Sequence, residues 1–124
     1  MAKQFCRTLG IILLIIGFLG YIPGLAPDGH LFGIFMVDAV HNMIHVLSGL
    51  ILVGVGYSGT EHTARNTSLA FGIVYGLVTL LGFIGGGTVL GLIMVNMADN
   101  ILHLLISVSA LAVGLRRERI VSVR

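Results

Sequence analysis

Charged residues are scarce in this chain: only 10% of its 124 residues are Asp, Glu, Lys or Arg, whereas 56% are hydrophobic. A soluble domain typically has about a quarter charged residues, and a small domain exposes a large surface that polar groups must cover. The shortage of charge therefore excludes a small water-soluble domain and indicates an integral membrane protein.

Several chemical signatures are also missing. Cys6 is the only cysteine, which excludes an intrachain disulfide and a cysteine-based zinc cluster. The seven Lys and Arg residues barely outnumber the five acids and form no basic patch interleaved with aromatic residues, so nucleic-acid binding is excluded. No nucleophile–base pair, P-loop or dinucleotide fingerprint occurs, and we predict a non-enzymatic protein.

What the chain does contain is four apolar runs, each near the ~20 residues that cross a bilayer. Their limits predict an all-α fold, a single four-helix transmembrane domain over 1–124 with helices at about 8–24, 37–57, 67–85 and 92–115. Pro23 and Gly24 are predicted to end the first helix. Asn66 or Thr67 is predicted to cap the third helix after a polar loop over 58–66.

Three segments need a separate interpretation: the first apolar run, residues 31–36 and residues 85–87. The first run follows basic residues as in a signal sequence, but it is long enough to span, and Pro27 follows its best small-residue site. We therefore expect it to be retained as a helix. Residues 31–36 are predicted to lie in the membrane interface or to begin the second helix, and residues 85–87 to form a turn before the fourth.

The basic residues indicate an orientation. With four spans, the N-terminus, the 58–66 loop and the C-terminus share one side, and the other two connections carry no Lys or Arg. The positive-inside rule therefore predicts both termini in the cytoplasm. The basic residues on this side are Lys3, Arg7, Arg65, Arg116, Arg117, Arg119 and Arg124.

Polar residues interrupt the second and fourth runs at matching places. Residues 38–45 and 96–103 each carry four polar side chains at spacings of three and four, on one helix face. Moving the second stretch back by 58 residues places His103 on His45. This predicted polar intramembrane cluster comprises Asp38, His41, Asn42, His45, Asn96, Asp99, Asn100 and His103.

The repeat extends into the other two helices. Gly10 and Gly20 of the first helix match Gly72 and Gly82 of the third at an offset of 62. We therefore predict a duplicated helix hairpin with a pseudo-twofold axis along the membrane normal. This axis would bring the second and fourth helices together at the centre of the bundle, with the two polar motifs facing each other.

Three interpretations of the cluster stay open, and a structural hydrogen-bond network ranks first. Intramembrane Asp and His residues are costly unless they face each other or a wet cavity. His45 would pair with Asn100, His103 with Asn42, and His41 with Asp99, because each of these groups has a complementary partner.

A metal site ranks second. His41 and His45 are four residues apart on one helix, and Asp99 and His103 repeat that spacing on the other, which suits zinc or another divalent transition metal. Asn42 would then orient the rings by hydrogen bonds, together with its counterpart in the second motif.

Haem ranks third, with His45 and His103 as axial ligands of a b-type haem in a redox carrier. Proton or ion transfer is a further alternative. It needs a polar path to the cytoplasm, and the inner halves of the second and fourth helices offer only Ser48, Ser107 and Ser109.

The expected surroundings are the lipid bilayer. Small-residue stripes such as Gly20-x-x-x-Gly24 and Gly72-x-x-x-Gly76 allow close helix packing. For these stripes we favour packing within one chain over a dimer interface. A homo-oligomer or a larger membrane complex stays open as a partner of the chain.

Four segments resemble a known family. They are residues 17–24, residues 31–35, His41-Asn42-x-x-His45 and Asp99-Asn100-x-x-His103. The resemblance covers about residues 5–115 and is to small bacterial four-helix membrane proteins catalogued as a domain of unknown function, found in actinobacteria and cyanobacteria among others. It implies a multi-pass protein of the bacterial cytoplasmic membrane, and it implies no activity.

Overall fold

The computed structural model describes residues 1–117, which form four α-helices, a short 3₁₀-helix (Pro27–Gly29) and two short β-hairpins. The helices are α1 (Ala2–Leu19), α2 (Ala39–Ser58), α3 (Glu61–Ile84) and α4 (Met97–Gly114), and the strands are β1 (His30–Leu31), β2 (Phe35–Met36), β3 (Thr88–Val89) and β4 (Ile93–Met94). Each helix is long and apolar enough to cross a membrane, so the predicted four-helix architecture is confirmed. Arg119 and Arg124, two of the basic residues for which a cytoplasmic location is predicted, lie outside the described residues.

The helices pack as two hairpins, α1 with α2 and α3 with α4. Glycines at equivalent positions of the two halves make both contacts possible. A Cβ added to Gly10 would lie 2.8 Å from the backbone N of Val53, and one added to Gly72 would lie 2.8 Å from that of Leu111. Because Val53 and Leu111 are 58 residues apart, the packing repeats the offset found in the sequence.

Each hairpin of helices is joined by a hairpin of strands. His30 pairs with Met36 in the first, and Thr88 pairs with Met94 in the second, again 58 residues apart. One of the two alternatives drawn from the sequence was that residues 31–36 begin the second helix. That alternative is wrong, because these residues belong to the first strand hairpin. The reason is the turn at Phe32 and Gly33, where two consecutive residues have φ values of 54° and 70°, the pattern of a type I′ turn.

The polar residues that begin α2 and α4 tie the two halves together. Asp38 caps α2 by accepting the His41 N–H at 2.8 Å, and its other carboxylate oxygen accepts the Met94 N–H of β4 at 2.8 Å. Asn96 caps α4 in the same way and donates from Nδ2 to the Ile34 carbonyl at 2.8 Å. Each cap thus holds the strand hairpin of the other half against its own helix.

The connection between the halves is shorter than the predicted loop over 58–66. Only Gly59 and Thr60 separate α2 from α3, and Thr60 caps α3 by accepting the Thr63 N–H at 3.1 Å. The prediction of a cap at Asn66 or Thr67 is therefore wrong. A hydroxyl at an N-cap satisfies an otherwise free amide, and Thr60 does this nearly two turns earlier than expected.

The first helix is also displaced from its predicted range of 8–24. It begins at Ala2 because Glu61 accepts the Ala2 N–H at 2.8 Å, and it ends at Leu19. Beyond Leu19 the amides of Tyr21 and Ile22 bond three residues back instead of four, a tightening that precedes Pro23. The fourth helix starts at Met97 rather than near 92 because the residues before it belong to β4.

The termini and the connection between the halves lie at one end of the bundle. The N-terminal ammonium contacts the Glu61 carboxylate at 2.7 Å, and the Arg65 guanidinium donates to the Arg116 carbonyl at 3.3 Å. At the same end α1 contacts α3, where the Cys6 thiol lies 3.5 Å from the Ala64 carbonyl oxygen. The described basic residues share this end, and its placement in the cytoplasm stays a prediction.

Candidate functional site

Three histidines converge at the other end of the bundle, and we call them the histidine triad: His41, His45 and His103. His41 and His45 stand one turn apart in α2, with ring centroids 4.6 Å from each other. The His103 ring of α4 lies 5.6 Å from His41 and 6.0 Å from His45. All three are buried, and one nitrogen from each ring lies within 4.8 Å of those of the other two.

The backbones of α2 and α4 do not form the close central pair that the sequence predicted. Contacts between halves are made mainly by α1 with α3 and by α2 with α3. The triad bridges the wider gap between α2 and α4, because an imidazole is long enough to reach across. The two motifs therefore do face each other, through side chains.

The triad makes none of the predicted hydrogen bonds within residues 1–117. No protein group bonds to Nδ1 of His41, His45 or His103, or to Nε2 of His41, although these atoms are buried. A buried polar atom without a partner costs about 1–3 kcal/mol. A ligand that bonded to these nitrogens would remove this cost, which packing alone does not.

The two asparagines point away from the triad. Asn42 packs against Gly20 of α1, and Asn100 packs against Gly82 of α3, so closely that a Cβ at either glycine would overlap the amide. The predicted crossed pairs of His45 with Asn100 and His103 with Asn42 are therefore absent. Each amide occupies a niche within its own helix hairpin, which the glycine provides.

Asp99 is bound to the backbone and not to the triad. Its Oδ2 accepts the Asn96 N–H at 2.9 Å and the Met36 N–H at 3.1 Å. Together with the Asn96 side chain this forms a capping box, which satisfies the free amides of the first turn of α4. Asp99 is thus neither the predicted partner of His41 nor part of the group of converging ring nitrogens, and Asp38 and Asn96 likewise act as caps.

A lateral cavity of about 360 Å³ opens beside the triad, between α2, α3 and the second strand hairpin. We call it the histidine groove. Its walls are apolar, and its polar groups are the three imidazoles and the hydroxyls of Ser48 and Tyr75. The Tyr75 ring lies 5.6 Å from His103, and its buried hydroxyl has no hydrogen-bond partner among residues 1–117.

The repeat places a second groove between α1 and α4, which we call the apolar groove. Its volume is about 220 Å³, and it contains none of the triad. At the offsets of 62 and 58, Leu13 stands where Tyr75 stands in the histidine groove, and Ile106 stands where Ser48 stands. The two grooves share a position in the fold but differ in the polarity of their floors.

The geometry argues against two of the sequence alternatives. A haem between His45 and His103 would need free space around the line joining them, but the His41 ring lies 4.6 and 5.6 Å from those rings. For ion transfer, Ser107 would have to continue the polar path. Its hydroxyl instead donates to the Gly72 carbonyl at 2.7 Å, and Ser109 is exposed on the outside of α4.

Sequence reasoning did not identify Tyr75 or the strand hairpins. Tyr75 is an isolated hydroxyl in an apolar run, and aligning it with Leu13 at the offset of 62 marks it as a difference between the halves. The hairpins also had a signal, since residues 30–36 and 88–94 share a central glycine and a final methionine. Comparing the two halves position by position, in the helices and in the connections, would have found both Tyr75 and the strand hairpins.

Four apolar helices with buried, unpaired imidazoles beside a lateral cavity define a bundle of membrane-spanning type with a polar site among its helices. The chain belongs to the family described as "Domain of unknown function (DUF4383)", whose model matches residues 3–116. This confirms the resemblance found in the sequence. No curated protein and no solved structure matches the chain.

Proposed function

We propose that this is a small, non-enzymatic membrane protein whose histidine triad binds one divalent transition metal, with zinc as the first candidate. The observation that carries the proposal is the convergence of three buried ring nitrogens within 4.8 Å, while the Nδ1 atom of each ring has no partner among residues 1–117. Neutral imidazole is a strong ligand for zinc, copper, nickel and iron.

The geometry needs only a small adjustment to hold such an ion. Zinc–nitrogen bonds of about 2.0–2.1 Å in a tetrahedral site place the ligand nitrogens about 3.3 Å apart. The rings of His41, His45 and His103 would close this distance by rotating about their side-chain bonds. Their neighbours allow this, because the triad borders a cavity instead of being packed on all sides.

Three protein ligands leave one position of a tetrahedral ion free. Among residues 1–117 no fourth His, Cys, Asp or Glu joins the converging nitrogens, and Asp99 is engaged by two backbone amides. The free position would face the histidine groove. The site therefore supports binding of a small ligand to the metal.

The charge pattern supports a location for this site. Lys3, Arg7 and Arg65 lie at the end of the bundle with the N-terminus, and His41 and His45 occupy the first two turns of α2 at the opposite end. If the basic end faces the cytoplasm, as the positive-inside rule predicts, the triad lies in the outer half of a bacterial cytoplasmic membrane.

Elemental analysis of the purified full-length protein tests the proposal. Protein from zinc-supplemented cells, solubilised in detergent, should contain about one metal ion per chain. The variants His41→Ala, His45→Ala and His103→Ala should each lose most of it, because two imidazoles hold zinc far less tightly than three. Cobalt substitution adds an optical readout, since four-coordinate cobalt absorbs much more strongly than six-coordinate cobalt.

Asp99→Asn is the matched control, because it changes the carboxylate of the same motif without touching an imidazole. It should keep the metal and reduce only stability. Loss of the metal in Asp99→Asn would replace the three-histidine site with the four-ligand site predicted from the sequence. A wild-type protein that binds no metal, in which the three histidine variants only change stability, would overturn the proposal. A Soret band in the absorbance spectrum would do so in favour of haem.

A further inference from the structure

The histidine groove opens sideways, toward the lipid. Its rim is formed by Val74 of α3 and by Leu90 and Leu92 of the second strand hairpin, which are 54%, 73% and 70% exposed. The rim carries no charged group, and neither does the wall. In a bilayer such an opening faces acyl chains, so it admits apolar molecules and offers nothing to a charged solute.

The floor of the groove has unsatisfied hydrogen-bonding groups. The Tyr75 side chain is only 5% exposed, and its hydroxyl lies near that of Ser48 but has no partner with hydrogen-bond geometry among residues 1–117. It lines the cavity together with His103 and His45, whose Nδ1 atoms are also unpaired. A phenol hydroxyl donates one hydrogen bond, and a ligand oxygen in the groove would accept it.

The apolar groove shows that the fold does not require this hydroxyl. Leu13, at the position of Tyr75, is fully buried and gives the apolar groove a floor without polar atoms. The same backbone arrangement therefore packs stably with leucine. The polar floor is a property of the histidine groove alone, which points to a use for it.

From these features we infer that the histidine groove binds a neutral, lipid-soluble molecule with one carbonyl or hydroxyl oxygen, which enters from the bilayer. The oxygen accepts a hydrogen bond from Tyr75, and the apolar body lies along Val74 and Val78. The volume of about 360 Å³ lies within the ~300–1,000 Å³ range of small-molecule pockets. This inference deepens the proposed function. It rests on that proposal in one respect only: a metal held by the histidine triad would be a second contact to the same ligand oxygen.

Photolabelling tests the inference. The full-length protein is reconstituted in lipid nanodiscs with a 12-carbon methyl ketone that carries a diazirine and a terminal alkyne on its chain. The matching hydrocarbon without the carbonyl serves as the comparison probe. The ketone should label residues 70–78 of α3 at least fivefold more than the hydrocarbon does, and unlabelled 2-dodecanone should compete.

Two variants assign the labelling to the groove. Tyr75→Phe removes the donor alone and should reduce ketone labelling at least fivefold without changing hydrocarbon labelling. Val74→Trp should block the entrance and reduce labelling by both probes. Its matched control is Ile12→Trp, because Ile12 has the equivalent place in the apolar groove and is 45% exposed there. Ile12→Trp should leave the ketone labelling of α3 unchanged.

Chelation separates this inference from the metal proposal. Ketone labelling that depends on Tyr75 and persists in metal-free protein supports the ligand even if no metal is ever bound. Equal labelling by both probes, unaffected by Tyr75→Phe, overturns the ligand even if the triad binds zinc. Because Tyr75→Phe removes a hydroxyl that makes no hydrogen bond within residues 1–117, a folded variant is expected, and its thermal unfolding in the same nanodiscs checks this.

Discussion

The histidine groove and the apolar groove occupy equivalent places in the two halves of one fold, yet they differ in volume and chemistry. The first has a volume of about 360 Å³ and a floor of imidazoles and hydroxyls, and the second has about 220 Å³ and walls that are apolar except for the hydroxyls of Thr8 and Ser109. Around both grooves the helix caps, the strand hairpins and the glycine contacts recur at offsets of 58 and 62. The backbone has been kept while the floor has changed.

The difference lies in a few positions. Tyr75 replaces Leu13, Ser48 replaces Ile106, and the place of His41 in the first motif is taken by Asp99 in the second. The Asp99 carboxylate accepts hydrogen bonds from backbone amides of both halves, whereas the His41 ring makes no hydrogen bond within residues 1–117. This separates residues that hold the fold together from residues that are available to a ligand.

Asp99→Leu should have the largest effect on stability, and its comparison with His41→Leu tests the contrast between the two motifs. Asp99→Leu leaves the amides of Met36 and Asn96 without an acceptor, and we expect a loss of about 2–4 kcal/mol in the free energy of unfolding. His41→Leu removes ring nitrogens that have no partner, and in metal-free protein we expect a change of about 1 kcal/mol or less, in either direction.

Both variants are measured by unfolding in mixed micelles with increasing SDS, after treatment with a chelator. Equal losses would show that His41 has a structural partner, which removes the contrast between the two motifs. A larger loss for His41→Leu would reverse it.

Alanine at the paired glycines should have an intermediate effect that is the same in both halves. A Cβ at Gly10 or Gly72 would lie 2.8 Å from a backbone nitrogen of the facing helix, so the helices must separate. We expect each variant to lose about 1–3 kcal/mol, the usual cost of overpacking.

Gly54→Ala is the control for these variants, because nothing lies within 4 Å of a Cβ there. Since alanine favours a helix over glycine by up to about 1 kcal/mol, this variant should be neutral or more stable. Thermal unfolding in detergent, followed by circular dichroism, compares the three. A loss in only one of the paired variants would show that the halves pack differently.

Tyr75→Phe should have the smallest effect. Because the buried hydroxyl of Tyr75 lacks a partner, its removal from ligand-free protein should leave the free energy of unfolding unchanged or raise it by about 1 kcal/mol or less. Tyr57→Phe, at a residue that is 59% exposed, should change it by less than about 0.5 kcal/mol. A clear loss of stability in Tyr75→Phe alone would mean that the hydroxyl supports the fold, and the grooves would then differ for a structural reason.

The sequence predicted the four helices but misplaced several of their ends. Four apolar runs of spanning length predicted four helices, because hydropathy and length act within each segment. The start of α1 was misplaced because Glu61 accepts the Ala2 amide from a distant part of the chain. No local pattern announces such a contact.

The roles within the cluster were predicted only in part. The spacing of three and four residues correctly placed His41 and His45 on one face, and the repeat correctly placed His103 opposite them. It also suggested Asp99 as a fourth member. Asp99 instead completes a capping box, a role that its position three residues after Asn96 fits equally well.

By itself, the sequence determined four apolar helices, a duplicated plan and two polar motifs, because periodicity and composition are properties of single segments. Only the tertiary structure decided which polar groups meet. In each helix hairpin a glycine provides the niche for the asparagine, and across the halves the backbone of β2 engages Asp99. These contacts leave the Nδ1 atoms of the three imidazoles without a partner among residues 1–117, as they do the side-chain oxygens of Asn42 and Asn100. The convergence of the imidazoles depends on the distance between α2 and α4, which neither helix encodes alone.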